Sequence, residues 1–126
     1  METPDPHSTI LVVEDEVLIR QLSVDQLEMA GYEVLEAGTA AEAINILESG
    51  AHIAVMFTDV NMPGDLDGLQ LARLVHDRWP NIQLLVTSGG GRIAPSDVPD
   101  DGCFIPKPYS LNQMRSLVAE LVQRAA

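Results

Sequence analysis

Five residues in four separate stretches could do chemistry together. Glu14 and Asp15 follow the apolar run Thr9–Val13 (TILVV), and Asp59 closes the run that starts at Ile53 (IAVMFT). Ser88 follows Ile82–Thr87 (IQLLVT), and Lys107 stands between Pro106 and Pro108. If the first and third runs are neighbours, three carboxylates crowd one pocket. Two unit charges about 4 Å apart repel by about 4 kcal/mol at an effective dielectric of about 20. Solvent, protonation or a cation must relieve that strain. Oxygen donors alone favour a hard cation, and Mg2+ suits a site with few protein ligands and several waters. The ammonium of Lys107 could pair with Asp59, or with an anion attached to it. Strand alternation lets only one of two successive hydroxyls face the pocket. Ser88, just past the strand, is the candidate, and Thr87 is expected in packing.

Each residue also has a plainer reading. Glu14, Asp15 and Glu16 can cap a helix, where acids suit the positive end of the dipole. Lys107 can be a solvated loop lysine, and Ser88 before Gly89 can be ordinary turn chemistry. What favours the richer reading is placement, because each of the five falls at the carboxyl end of a run of strand length. Short apolar runs bounded by turn residues suit covered strands of a parallel sheet. Open parallel sheets bind ligands beyond those ends.

The elements that must position these residues alternate. The spacing predicts strands at Thr9–Val13, Glu33–Ala37, Ile53 to Asp59, Ile82–Thr87 and Cys103–Ile105. Glu33–Ala37 alternates like a half-covered strand near an edge. A helix is expected over Val17–Ala30, with Leu18, Leu22 and Met29 at helical spacing and Gly31 as its C-cap. Thr39–Glu42 reads as a capping box opening a helix to about Ser49, with Ala40, Ala43, Ile44 and Leu47 as its stripe. Gly68–Arg78 is a third helix, stopped by Pro80. Ser110–Gln113 opens a last one, with Leu111, Met114, Leu117, Val118, Leu121 and Val122 on one face. Strands alternating with helices argue for βαβ units, hence an α/β fold with right-handed crossovers and both sheet faces covered. One segment resists the pattern. Gly89–Gly102 holds five glycines and prolines before Asp100, so a long helix is disfavoured and one turn near Pro95–Val98 is expected.

Composition narrows the function classes. The 126 residues fit one domain, read as 9–126 after a flexible lead-in at 1–8, with no output domain attached. Nineteen acids against seven Lys+Arg, a net charge of −12, build no basic face, so direct nucleic-acid binding is not expected. The single cysteine, Cys103, forbids an internal disulfide and suits a reducing cytoplasm. No apolar run approaches the roughly 18 residues of a membrane span, and the N-terminus is no signal peptide. His7, His52 and His76 lack metal-ligand spacing, and Gly89–Gly91 lacks a phosphate-cradling frame. Cys103 and Trp79 read as packing residues. Arg92 and Lys107 are the basic residues near strand ends.

With the motifs in this order, the chain resembles the receiver domain of two-component response regulators, the CheY-like family. The matching text is ILVVEDE (Ile10–Glu16), DVNMPGDLDG (Asp59–Gly68), LLVTSG (Leu84–Gly89) and PKPY (Pro106–Tyr109). It spans nearly the whole chain, from about Ile10 to Val122. The resemblance implies a flavodoxin-like, doubly wound, five-stranded parallel sheet in order 2-1-3-4-5. It also implies a phosphoryl-accepting signalling switch rather than an enzyme. Asp59 would be the phospho-acceptor. Asp15, Glu14 and Asp59 would hold Mg2+, with the backbone carbonyl of Asn61 completing the protein ligands. Ser88 would bond the phosphoryl group, Lys107 would supply countercharge, and Phe104 would be the aromatic whose rotamer follows activation. The Lys107–Pro108 bond is often cis in this family. The implied partners are a sensor histidine kinase or a histidine phosphotransfer protein and a downstream protein target, with the chain itself a monomer or weak homodimer.

The text departs from the family twice. Pro63 to Gly68 carries one residue more than the commonest pattern, and Gly89–Gly102 replaces part of the usual signalling face. Other readings share some features. A Mg2+-dependent phosphatase or phosphotransferase of the haloacid-dehalogenase type also uses an aspartate after a strand, but it carries D-x-D where this chain has Asp59-Val60-Asn61. A flavin-binding domain would need a phosphate cradle where Glu14-Asp15-Glu16 would repel one. A degenerate receiver that only binds a partner would not keep the full site set.

Overall fold

The computed structural model describes residues 8–89, 94–99 and 102–125. Most of the lead-in, with His7, and also Gly90, Gly91 and Arg92 lie outside them. Five parallel strands form one sheet: β1 (Thr9–Val13), β2 (Glu33–Ala37), β3 (Val55–Asp59), β4 (Gln83–Ser88) and β5 (Cys103–Pro106). Their order is β2-β1-β3-β4-β5. Four helices connect and cover them: α1 (Val17–Met29), α2 (Ala40–Glu48), α3 (Gly68–Arg78) and α4 (Leu111–Ala125). This is the doubly wound, flavodoxin-like α/β fold expected from the alternation and the resemblance.

Side-chain alternation splits the core in two. Leu11, Val13, Met56, Leu84 and Val86 face α2 and α3, where Ala43, Leu47, Leu71, Ala72 and Val75 pack on them. Ile10, Val12, Val55, Phe57, Leu85 and Ile105 face α1 and α4, against Val24, Leu27, Met114, Val118, Leu121 and Val122. Burial on both faces explains why β1, β3 and β4 read as unbroken apolar runs. At about 25 cal/mol per Å² of apolar surface, these two layers dominate the stabilising side of the balance. They also fix register, since a one-residue slip sends every side chain to the wrong face.

Several boundaries and faces differ from expectation. β3 begins at Val55 rather than Ile53, and Ser88 is the last residue of β4 rather than the first beyond it. The helix α1 buries Ser23, Val24 and Leu27, while Leu18, Leu22 and Met29 are 80%, 57% and 81% exposed. Its apolar spacing at Leu18 and Leu22 therefore marks a solvent face, not the core stripe. Thr39 caps α2 by accepting from the Glu42 N–H, but the Glu42 carboxylate bonds the Gly38 N–H instead of closing the box. Cys103 is half-buried on edge strand β5. Between β4 and β5 the expectation holds: the described residues there form one 3-10 turn, Pro95–Asp97, with Val98 buried beside it.

In the β3–α3 loop the chain turns at Gly64, whose φ of +110° suits glycine. Met62 and Leu66 pack on the core on either side of it. A full capping box then starts α3: Asp67 accepts from the Gln70 N–H and Gln70 accepts from the Asp67 N–H. At Gly68 a Cβ would overlap the carbonyl oxygen of Asp59. Gly68→Ala is therefore expected to push α3 off the end of β3 and destabilise the fold by about 1–3 kcal/mol, measured by urea unfolding. An unchanged midpoint would contradict that close approach.

Candidate functional site

The site is built by strand ends that finish level. Val13 is in register with Ala37 and Thr58, Asp59 with Thr87, and Ser88 with Pro106. Each ladder then runs one bond further: Glu14 N–H to Ala37 O, Val60 N–H to Thr87 O, and Lys107 N–H to Ser88 O. Glu14, Asp59, Ser88 and Lys107 thus arrive together because their strands stop together.

The three acids and Lys107 converge, whereas the β4 residue in register with Asp59 is Thr87 rather than Ser88. One carboxylate oxygen each from Glu14, Asp15 and Asp59 can be chosen so that all lie within 4.8 Å of one another. Glu14 and Asp59 are buried, and Asp15 is half-buried. Lys107 Nζ lies 2.8 Å from Asp59 Oδ2 and 3.8 Å from Glu14 Oε1. The other Asp59 oxygen accepts the Asn61 N–H at 3.1 Å. The acids do more than cap α1: Glu16 occupies the N-cap without a side-chain cap bond, and Glu14 accepts the Glu16 N–H with Oε2 while its Oε1 lies toward Lys107.

Three carboxylates and one ammonium leave two net negative charges when all are ionised. The oxygen-only donor set and that residual charge suit a hard dication, so the residues present fit Mg2+. Without one, the strain appears on Glu14. Its pKa is pushed up from 4.5 to about 7, first by burial. The Glu16 N–H opposes the rise, the charge of Asp59 adds to it, Lys107 opposes it, and a hydrogen bond with Asp15 adds to it. For Lys107, burial acts against the charged form, yet the hydrogen bond and charge of Asp59, with Glu14 behind, hold its pKa above the usual lysine value.

Ser88 is buried and shares strand parity with Val86, the register partner of Phe104. Phe104 is half-buried and packs on the α2–α3 side of the sheet. Ser88 and Phe104 therefore stand on one face. Thr87 has the opposite parity and is 1% exposed, its hydroxyl without a protein partner among the described residues. The Lys107–Pro108 bond is cis. Sequence reasoning missed Tyr109, whose ring meets Phe57 edge-on at 5.8 Å and which lines a cavity together with Ser23 of α1. It also missed Arg20, whose Nη1 reaches the Glu14 carbonyl at 2.7 Å. A serine among core positions of α1 was the available signal for the first; none pointed to the second. His52 and His76 do not join the site's cluster of acids.

A family model described as the response regulator receiver domain matches residues 10–119. The sensor kinase CckA of Brucella abortus is 36% identical over 121 residues, which cover 93% of this chain and 13% of that protein. The response regulator receiver protein CpdR of the same organism is 33% identical over 115 residues, 89% of this chain and 92% of that one. A response regulator receiver protein of Sinorhizobium medicae superimposes with a TM-score of 0.87 at 28% identity, covering 95% of this chain and 98% of that one. The chain belongs to the response regulator receiver domain family, the signalling modules of two-component systems. No described helix is long and apolar enough to cross a membrane.

The raised pKa of Glu14 sets a sign for stability. Between 4.5 and about 7 the folded chain keeps a proton that the unfolded chain has released. Stability without metal should therefore fall as pH rises through that window, by at most about 1.4 kcal/mol for each pH unit. Glu14→Gln is expected to flatten the fall. Urea midpoints of both proteins in EDTA across the window check this, and parallel curves would refute it.

Proposed function

We propose that this chain is a phosphoryl-accepting switch in which Asp59 takes a phosphoryl group from a phosphohistidine donor in a Mg2+-dependent reaction. The observation that carries the reading is the buried Asp59 carboxylate, with Lys107 Nζ 2.8 Å away and the Glu14 and Asp15 oxygens beside it. An Asp59 oxygen attacks phosphorus. The new P–O bond forms as the P–N bond to the donor imidazole breaks, and the electron pair stays with the ring nitrogen. Glu14, Asp15, Asp59 and the Asn61 carbonyl are the groups that would hold Mg2+, which when bound supplies charge neutralisation for the transferring group. Phosphoryl transfer asks mostly for positioning and charge stabilisation. Lys107 supplies one fixed positive charge, and the Asn61 N–H orients the attacking carboxylate. Hydrolysis later returns the carboxylate and releases inorganic phosphate, so the chain turns over only its own adduct.

The switch itself rests on Ser88 and Phe104. Ser88 turning to a phosphoryl oxygen vacates room on the face it shares with Phe104, which then moves inward and alters the surface of β4 and β5. That surface would meet the downstream protein target. The chain would act in the cytoplasm as one receiver domain, a monomer or weak homodimer, without nucleic-acid contact of its own.

A protein donor is favoured by what borders the site. Val17, Leu18 and Leu22 on α1 are 63%, 80% and 57% exposed. A cavity of about 550 Å³ beside them is lined by Ile19, Leu22, Ser23, Lys107, Pro108 and Tyr109. Lys107 belongs to both the cavity and the site, so a macromolecule delivering phosphohistidine to Asp59 covers this apolar rim. A sensor histidine kinase or a histidine phosphotransfer protein fits that description.

Incubation with Mg2+ and phosphoramidate should give a base-labile phosphate adduct, lost in Asp59→Ala. No adduct in the parent chain, or an unchanged one in the variant, sinks the reading. Turnover of many phosphoesters per chain would favour the aspartate-nucleophile phosphatase instead. Leu18→Lys should leave that adduct intact but slow loading from a phosphorylated histidine phosphotransfer protein roughly fivefold or more, the effect of losing about 1 kcal/mol at an interface. Equal rates from the protein donor would argue against docking on α1.

A further inference from the structure

The loop that carries Glu14 and Asp15 has a reason to open. Two of its carboxylates face a third within 4.8 Å, and the Glu16 side chain makes no cap bond at the start of α1, where only the Glu16 N–H is held, by Glu14 Oε2 at 3.1 Å. One residue outside the acidic cluster holds it. Arg20 sits one turn into α1, its N–H bonded to the Glu16 carbonyl. Helical side chains lean toward the N-terminus, which brings the Arg20 guanidinium back over the loop. Its Nη1 donates to the Glu14 carbonyl at 2.7 Å and its Nε to Glu36 Oε1 at 3.1 Å. The Glu14 N–H is already bonded to Ala37 O at the end of β2. The peptide groups on both sides of Glu14 are therefore fixed, one by the sheet and one by Arg20. Gly38 completes the arrangement: a Cβ there would stand 3.1 Å from Arg20 Nη1, so the missing side chain leaves the space that the guanidinium uses.

We infer that Arg20 is a positioning residue of the acidic site, holding the Glu14 carbonyl so that the Glu14 and Asp15 carboxylates stay turned toward Asp59. The inference rests on the reading of Glu14, Asp15 and Asp59 as the Mg2+ donor set. Groups that orient metal ligands are worth about 10–100-fold in metal affinity. Charge alone acts in the opposite direction. A guanidinium beside a cation site repels the cation, so removing it would tighten binding. A merely structural role makes a third forecast. The Arg20–Glu36 ion pair is partly exposed, at 20% and 44%, and its loss would lower stability slightly and leave metal affinity alone.

Mg2+ titrations followed by the amide NMR shifts of Glu14, Asp15 and Asp59 separate the three, with circular dichroism showing that each variant is folded. Arg20→Met should weaken Mg2+ about tenfold. Arg20→Lys keeps the charge but has no fork to serve the carbonyl and Glu36 together, and it should weaken binding similarly. Glu36→Gln leaves the bond to Glu14 in place and should bind as the parent does. Tighter or unchanged binding in Arg20→Met overturns the proposal while the metal reading stands. A parent chain that shows no Mg2+-dependent change in those signals overturns both.

Discussion

The contact between Lys107 and Asp59 is the interaction on which the arrangement depends. It joins the end of β3 to the segment after β5, two strands that are not neighbours but lie on either side of β4. A 2.8 Å bond between them requires that β4 hold its register against both. It also offsets the mutual repulsion of three acids at one sheet edge. The cost that remains falls on Glu14, the most deeply placed acid after Asp59, as its raised pKa records. A site so charged is poised to take up positive charge, and a phosphoryl group brought with a dication meets a lysine already in reach.

The fold was legible because both faces of the sheet are covered. Unbroken apolar runs, turn residues after them and helical spacing between them leave little else to build. The alternation alone does not order the strands, and 2-1-3-4-5 came from resemblance. Site residues were legible for a related reason. A carboxylate directly after a buried strand is out of place unless the strand end is a site, and Asp59 is such a residue. Lys107 and Ser88 gained meaning only beside it, since a lone lysine or serine in a loop says little.

What was not legible depends on direction rather than residue type. The spacing of Leu18, Leu22 and Met29 suits a core stripe, yet α1 turns Val24 and Leu27 inward and shows those three to solvent. Periodicity reports that a face exists, not which way it points. The bounds of α3 were read as Gly68–Arg78, as the structure has them, but the capping box of Asp67 and Gln70 that opens it was not, since Asp65 two positions earlier is an equally good cap residue by type. Arg20 was beyond reach, because its role lies in a bond to a main-chain carbonyl and in the space left by Gly38, eighteen positions on. Neither leaves a mark in side-chain pattern.

Thr87 and Ser88 put two hydroxyls side by side at the end of β4, on opposite faces of the sheet. A strand shifted by one residue would still offer a hydroxyl beside Asp59, so the chemistry of the edge cannot by itself reject the shifted pairing. Rejection falls to Leu84, Leu85 and Val86, which would trade one packed layer for the other. Proofreading of the site is thus done at a distance, by residues that never touch a reacting atom. Variation among them can spoil signalling while every residue of the acidic edge stays as it is.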